Sequence, residues 1–162
     1  MGVGLTRKMG YPVFVYLSLL AGAAATLLLM FVNSIVYFSG FWGKVFRAPI
    51  VEETAKSISL FFVIKRAMKE GELSDLNLYT LGAFTGLSFG VLESIMTYRV
   101  LVKPVLLPGR VLATLGHVAY TTLDGVGISE YLSTGEISFL VKRVFLAMFL
   151  HGLWNYWVNA PF

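Results

Sequence analysis

The sequence predicts an all-α polytopic membrane protein: one domain over residues 1–162, folded as a bundle of about five transmembrane helices. Hydrophobic residues make up 57% of the chain and charged residues only 14%. The apolar residues run in blocks of about twenty, the length that crosses a hydrocarbon core of about 30 Å. The 16 glycines are spread through those blocks. Lipid provides no hydrophobic drive between helices, so small residues must supply close backbone contact. With no cysteine, disulfides, thiolate nucleophiles and Cys-ligated zinc are excluded. The net charge of +4 sits at segment ends without forming a basic face. It reads as topology and contact with the lipid bilayer, and no nucleic-acid partner is expected.

The first helix is expected over residues 11–38. It follows Arg7 and Lys8 like a signal peptide, but runs far past the usual core of about 7–15 residues, so it reads as retained. Ala21-Gly22-Ala23-Ala24-Ala25 at its middle reads as a packing face. Ser39-Gly40 breaks this helix, and Phe41-Trp42-Gly43-Lys44 has the composition of the membrane interface. The second helix, 49–68, starts with Pro49 in its first turn and closes with Lys65, Arg66 and Lys69 at its negative end. A polar turn, Gly71 to Asp75, leads to the third helix, 76–98, where Gly82, Gly86 and Gly90 form a stripe that Glu93 continues. Arg99, Lys103, Pro104, Pro108, Gly109 and Arg110 make the next turn. The fourth helix, 111–131, carries His117, Tyr120 and Asp124 along one face. The fifth, 139–158, carries His151 and Asn155 four residues apart, with Trp154, Tyr156 and Trp157 as an aromatic belt. The distribution of Lys and Arg favours a cytoplasmic amino terminus.

The second helix opens on Glu52, Glu53 and Lys56 within an otherwise membrane-spanning stretch. Each such charge costs about 2.5–3.5 kcal/mol to insert, which makes an intramembrane acid a candidate site in search of a partner. At about 1.5 Å per residue, Glu52, Glu53, Glu93, His117 and His151 all fall within roughly one leaflet of the same side. A shared polar cavity accounts for that common depth. Neighbouring residues on a helix diverge by about 100°, so one of Glu52 and Glu53 is expected to face the cavity and the other to be held by Lys56 or a backbone group. Asp124 lies about two turns deeper than His117, which suits a structural or substrate-channel role.

Two chemistries are open to this set. A divalent metal, zinc by donor type, can be held by Glu93, His117 and His151 with a position left for water that a glutamate deprotonates. Alternatively, a desolvated glutamate and one histidine act as general base, while the second histidine and Asn155 stabilise an oxyanion. Both hydrolyse an amide with Glu52 or Glu53 as base.

The motifs Glu52-Glu53-Thr54-Ala55-Lys56, Phe89-Gly90-Val91-Leu92-Glu93, His117, and His151-Gly152-Leu153-Trp154-Asn155 resemble those of the PrsW family of intramembrane proteases. That group is related to the CAAX-prenyl proteases and Abi proteins, and is distantly similar to the scaffold subunit of γ-secretase. The resemblance covers about Pro49 to Asn155. It implies a membrane-embedded metalloprotease acting on a membrane-anchored protein, in the plasma membrane of a prokaryote. Glu52 or Glu53 would activate water, Glu93, His117 and His151 would complete the centre, and Asn155 would support it. Lys56 comes one residue earlier than the arginine of the CAAX group, and Glu93 stands where that group has histidine, which argues against a prenylated substrate. Two rival readings keep the fold: a non-catalytic scaffold or binding protein, and a small proton or ion carrier.

Overall fold

The structure, a computed structural model, describes residues 10–36, 40–71 and 73–160. Arg7, Lys8, the expected end of the first helix at Phe38, and Glu72 of the polar turn lie outside the described residues. Five long helices follow one another: α1 (Tyr11–Ile35), α2 (Ala48–Glu70), α3 (Asp75–Met96), α4 (Leu107–Thr134) and α5 (Ile137–Asn159). No strand occurs among the described residues, in agreement with the expected all-α bundle.

By length and composition, α1, α3 and α5 are apolar enough to cross a membrane. α2 and α4 are long enough but carry the ionisable residues, and these point inward: Glu52, Glu53, Lys56, His117 and Asp124 are all buried. Large apolar side chains such as Leu20, Phe62, Phe145 and Trp157 face outward, as they must in a hydrocarbon solvent.

α3 packs between α1 and α4, while α2 touches each of the other four helices. The seams are made as the small residues foretell. Ala21, Gly22 and Ala25 of α1 are buried, and a Cβ on Gly22 would run into the Thr85 carbonyl of α3. Thr85 Oγ1 and Ser88 Oγ donate across this seam to the carbonyls of Ser18 and Leu19, at 3.1 and 2.8 Å. The glycine stripe of α3 lies against α4: Gly82 faces Thr121 and Thr122, Gly86 the His117 backbone, and Gly90 Thr114. Phe14, Leu60, Ile64, Leu81 and Ile128 form the main apolar core, and Ala25, Leu29, Ala55 and Phe89 form a second cluster.

The helix ends differ from the sequence reading by a few residues, α4 running on to Thr134 and α5 starting at Ile137, and two of the differences shape the site. The interfacial segment before Pro49 is itself helical: Gly43–Arg47 forms a π turn that runs directly into α2. Glu52 and Glu53 therefore lie beyond the first turn of α2 and do not cap it. In the π register the Ala48 N–H reaches the Gly43 carbonyl, and the next residue would serve Lys44. That residue is Pro49, which has no N–H, so the Lys44 carbonyl is free and Asn155 Nδ2 of α5 donates to it at 2.9 Å. The second difference is the start of α4, at Leu107 and not near Val111. Pro108 fits the first turn, where its missing N–H has no helical partner to lose. Gly109 and Arg110, expected in a turn, are helical as a result.

Candidate active site

α2 presents its two adjacent carboxylates to different surroundings. Glu53, 0% exposed, faces into the bundle and accepts from the Lys56 ammonium, with Nζ at 2.8 Å from Oε1 and 2.7 Å from Oε2. It also holds His151 of α5, whose Nδ1 lies 2.6 Å from Glu53 Oε1. A carboxylate only accepts, so Nδ1 carries the proton, and in the neutral ring the lone pair sits on Nε2. That Nε2 is 3.7 Å from Glu52 Oε2, a buried oxygen with no hydrogen-bond partner.

His117 of α4 is engaged on both sides. Lys56 Nζ is 3.2 Å from its Nδ1, and an ammonium can only donate, so Nδ1 accepts. Nε2 therefore bears the hydrogen and donates to Glu93 Oε2 at 3.2 Å. Glu93 is held in turn by the Arg110 guanidinium, which also donates through Nε to Ser94 Oγ at 3.0 Å and lies 3.9 Å from the Tyr98 ring centroid. The imidazoles of His117 and His151 stand edge to face at 5.1 Å, and Tyr120 stacks on His151 at 5.3 Å.

These groups border a narrow polar cavity of about 40 Å³, enough for a few water molecules. Glu52, Glu93, His117, His151 and Asn155 reach its wall, together with Lys44, Arg110 and Tyr120. The structure thus joins six of the expected residues, Glu52, Glu53, Lys56, Glu93, His117 and His151, in one buried network. Asn155 borders the cavity while bonding to backbone. Asp124 is 0% exposed and does not border it; it sits beside Glu53, Ser57 and Lys56, with no well-formed hydrogen bond on either oxygen. Arg110 was missed as part of the centre, because its place in α4 depends on the earlier start of that helix. Its spacing from Glu93 carries no local signature.

The donors suit a divalent metal. Glu52, His117 and His151 each offer an atom, all within 4.8 Å of one another. Two imidazoles and a carboxylate are a familiar zinc donor set. Glu93, expected as a ligand, lies outside this triangle and is tied to Arg110 and His117. Four carboxyl groups, Glu52, Glu53, Glu93 and Asp124, lie buried in this layer beside the cations Lys56 and Arg110, and Lys44 also reaches the cavity wall. A dication would be matched by carboxyl groups that ionise to meet it, in a medium where uncompensated charge is costly.

Fold and site together define an integral membrane protein with a buried acid–histidine centre of the kind that activates water. The chain belongs to the PrsW family of intramembrane metalloproteases, whose family profile matches residues 9–162, nearly its full length. Membership places it among membrane-embedded peptidases of the hydrolase class, a family that implies a protein substrate in the membrane. Neither a comparison with curated proteins nor one with solved structures gives a match.

Proposed function

We propose that the protein is an endopeptidase of a prokaryotic plasma membrane, hydrolysing a peptide bond in or near the transmembrane segment of a membrane-anchored protein, with Glu52 as the general base. The observation that carries this reading is the approach of Glu52 Oε2 to within 3.7 Å of His151 Nε2, beside a cavity that both residues line, while Glu53 occupies the far side of the imidazole. Water held between them is deprotonated by Glu52 as its oxygen adds to the substrate carbonyl carbon. Glu52 then returns that proton to the amide nitrogen as the C–N bond breaks, leaving a carboxylate and an amine. Glu53 plays a positioning role by fixing the His151 tautomer, and Lys56 keeps Glu53 ionised beside it. Glu93, anchored by Arg110, steadies His117, and Asn155 ties α5 to the π turn. A divalent metal, zinc by donor type, would be held by His117, His151 and one oxygen of Glu52, whose other oxygen would remain the proton acceptor, and would supply Lewis acidity and a more acidic water.

The test is proteolysis in proteoliposomes: a panel of single-span membrane-anchored peptides, with products identified by mass spectrometry. Glu52→Gln and His151→Ala, each verified as monodisperse, should lower cleavage at least about 100-fold. Metal analysis of the same preparations should give about one zinc per wild-type chain and much less for His151→Ala. Undiminished cleavage by Glu52→Gln would overturn the assignment of the base. Proton flux without cleavage in the same vesicles would favour the carrier reading.

A further inference from the structure

Two features have no role in the chemistry above. Both nitrogens of His117 are occupied, although His117 is one of three residues whose donor atoms converge for a metal. Asp124 is fully buried beside Ser57 and Glu53, and neither its oxygens nor the hydroxyls Ser57 Oγ and Thr121 Oγ1 make a well-formed hydrogen bond. Most other hydroxyls in these helices bond the carbonyl one turn back, as Ser18, Thr26, Ser94, Thr114 and Thr122 do. A buried carboxylate left without a partner is expensive.

A single residue connects the two. If His117 ligates a metal through Nδ1, the metal takes the place of the Lys56 ammonium. If it ligates through Nε2, Nδ1 must carry the hydrogen and can no longer accept from Lys56. On either route the ammonium has to leave His117, and a dication arriving nearby repels it further. Lys56 is bound to Glu53, and Asp124 is a neighbour of both that does not border the cavity.

We infer that Lys56 is a movable counter-cation: when a divalent metal binds Glu52, His117 and His151, its ammonium pivots about Glu53 from His117 Nδ1 to the carboxylate of Asp124. This inference rests on the metal-binding part of the proposed function. Asp124 is then a docking point for displaced charge, with Ser57 and Thr121 completing the polar pocket around it. It acts on the centre through Lys56, as a positioning residue, and touches neither substrate nor metal. The centre thereby exchanges one buried cation for another while Glu53 keeps its partner throughout.

The test measures zinc affinity, with the full chain in detergent micelles competing against a chromophoric chelator. Asp124→Asn removes the docking charge and should weaken zinc binding about 10–100-fold, the range for residues that act through a ligand's neighbour. In a Lys56→Met background, where no ammonium needs a new partner, Asp124→Asn should change affinity less than about twofold. Equal affinity of wild type and Asp124→Asn would overturn the inference, as would a penalty that persists in the Lys56→Met background.

Should Lys56→Met fail to fold, nitrogen NMR on 15N-histidine protein gives an independent reading, since the chain has only two histidines. Zinc should move the ring nitrogens of both. Zinc that shifts the ring nitrogens of His151 but neither Nδ1 nor Nε2 of His117 would refute the release of Lys56. Wild-type protein that binds no zinc yet cleaves through Glu52 would overturn this inference and leave the peptidase reading standing. Loss of cleavage dependence on Glu52, with zinc coupling intact, would do the reverse.

Discussion

Glu52 and Glu53 are chemically identical and adjacent, yet their surroundings separate them. The rotation of about 100° per helical residue sends Glu53 to a lysine and an imidazole and leaves Glu52 lining the cavity with one oxygen unpaired. Glu53→Gln should consequently differ from Glu52→Gln: the histidine loses its orienting acceptor, Lys56 loses its partner, and stability falls along with turnover. Thermal denaturation of the two variants in one detergent checks this, with Glu52→Gln expected near wild type and Glu53→Gln well below it. Arg110 belongs to the same scale. It holds Glu93 from the first turn of α4, so Arg110→Met leaves a buried carboxylate uncompensated, at a cost of about 3–5 kcal/mol. Denaturant titration should register that loss, and Arg110→Met combined with Glu93→Gln should recover part of it, because the orphaned charge is gone.

Among the elements, the α3–α4 seam controls where His117 stands. Gly86 lies directly on the His117 backbone, so any Cβ there must push the two helices apart. Gly86→Ala is expected to destabilise the bundle by about 1–3 kcal/mol and to lower cleavage by shifting the imidazole relative to Glu52. Gly109→Ala, in the same protein but with open space at its Cβ position, should leave both unchanged. Parallel melting curves and turnover rates for the two variants separate a packing effect from a general intolerance of substituted glycine. The π turn before α2 works similarly on α5. By freeing the Lys44 carbonyl for Asn155, it fixes the register of the helix that carries His151.

At the scale of the whole molecule, the bundle is inverted relative to a water-soluble protein only on its outside. Its interior combines an apolar core with one polar layer, and its surface is apolar where lipid must be met. Leu20 on α1 is 64% exposed and faces outward at mid-helix. Leu20→Arg should raise the apparent insertion free energy of that helix by about 2.5–3.5 kcal/mol in a translocon insertion assay. The charged residues of α2 escape such a penalty in the finished fold because they meet partners inside it. For the same reason α2 is a weak span by composition and depends on its neighbours, all four of which it touches.

Element identity and the common depth of the polar residues were legible in the sequence, because both follow from local quantities. Hydrophobic run length sets a span, a rise of about 1.5 Å per residue sets depth, and a four-residue glycine spacing sets a face. The α1 alanine–glycine face and the α3 glycine stripe are packed as those quantities require. Nothing local could decide partners. Whether Glu52 or Glu53 turns to the cavity depends on where α5 delivers His151; that Glu93 belongs to Arg110 depends on α4 beginning a turn earlier than its prolines suggest; and the surroundings of Asp124 depend on α2 bringing Glu53, Lys56 and Ser57 beside it. Hydrogen bonds and ion pairs reach only about 3–4 Å. Chain spacing determines which face a side chain occupies, and only the packing of helices remote in sequence places another group within that distance.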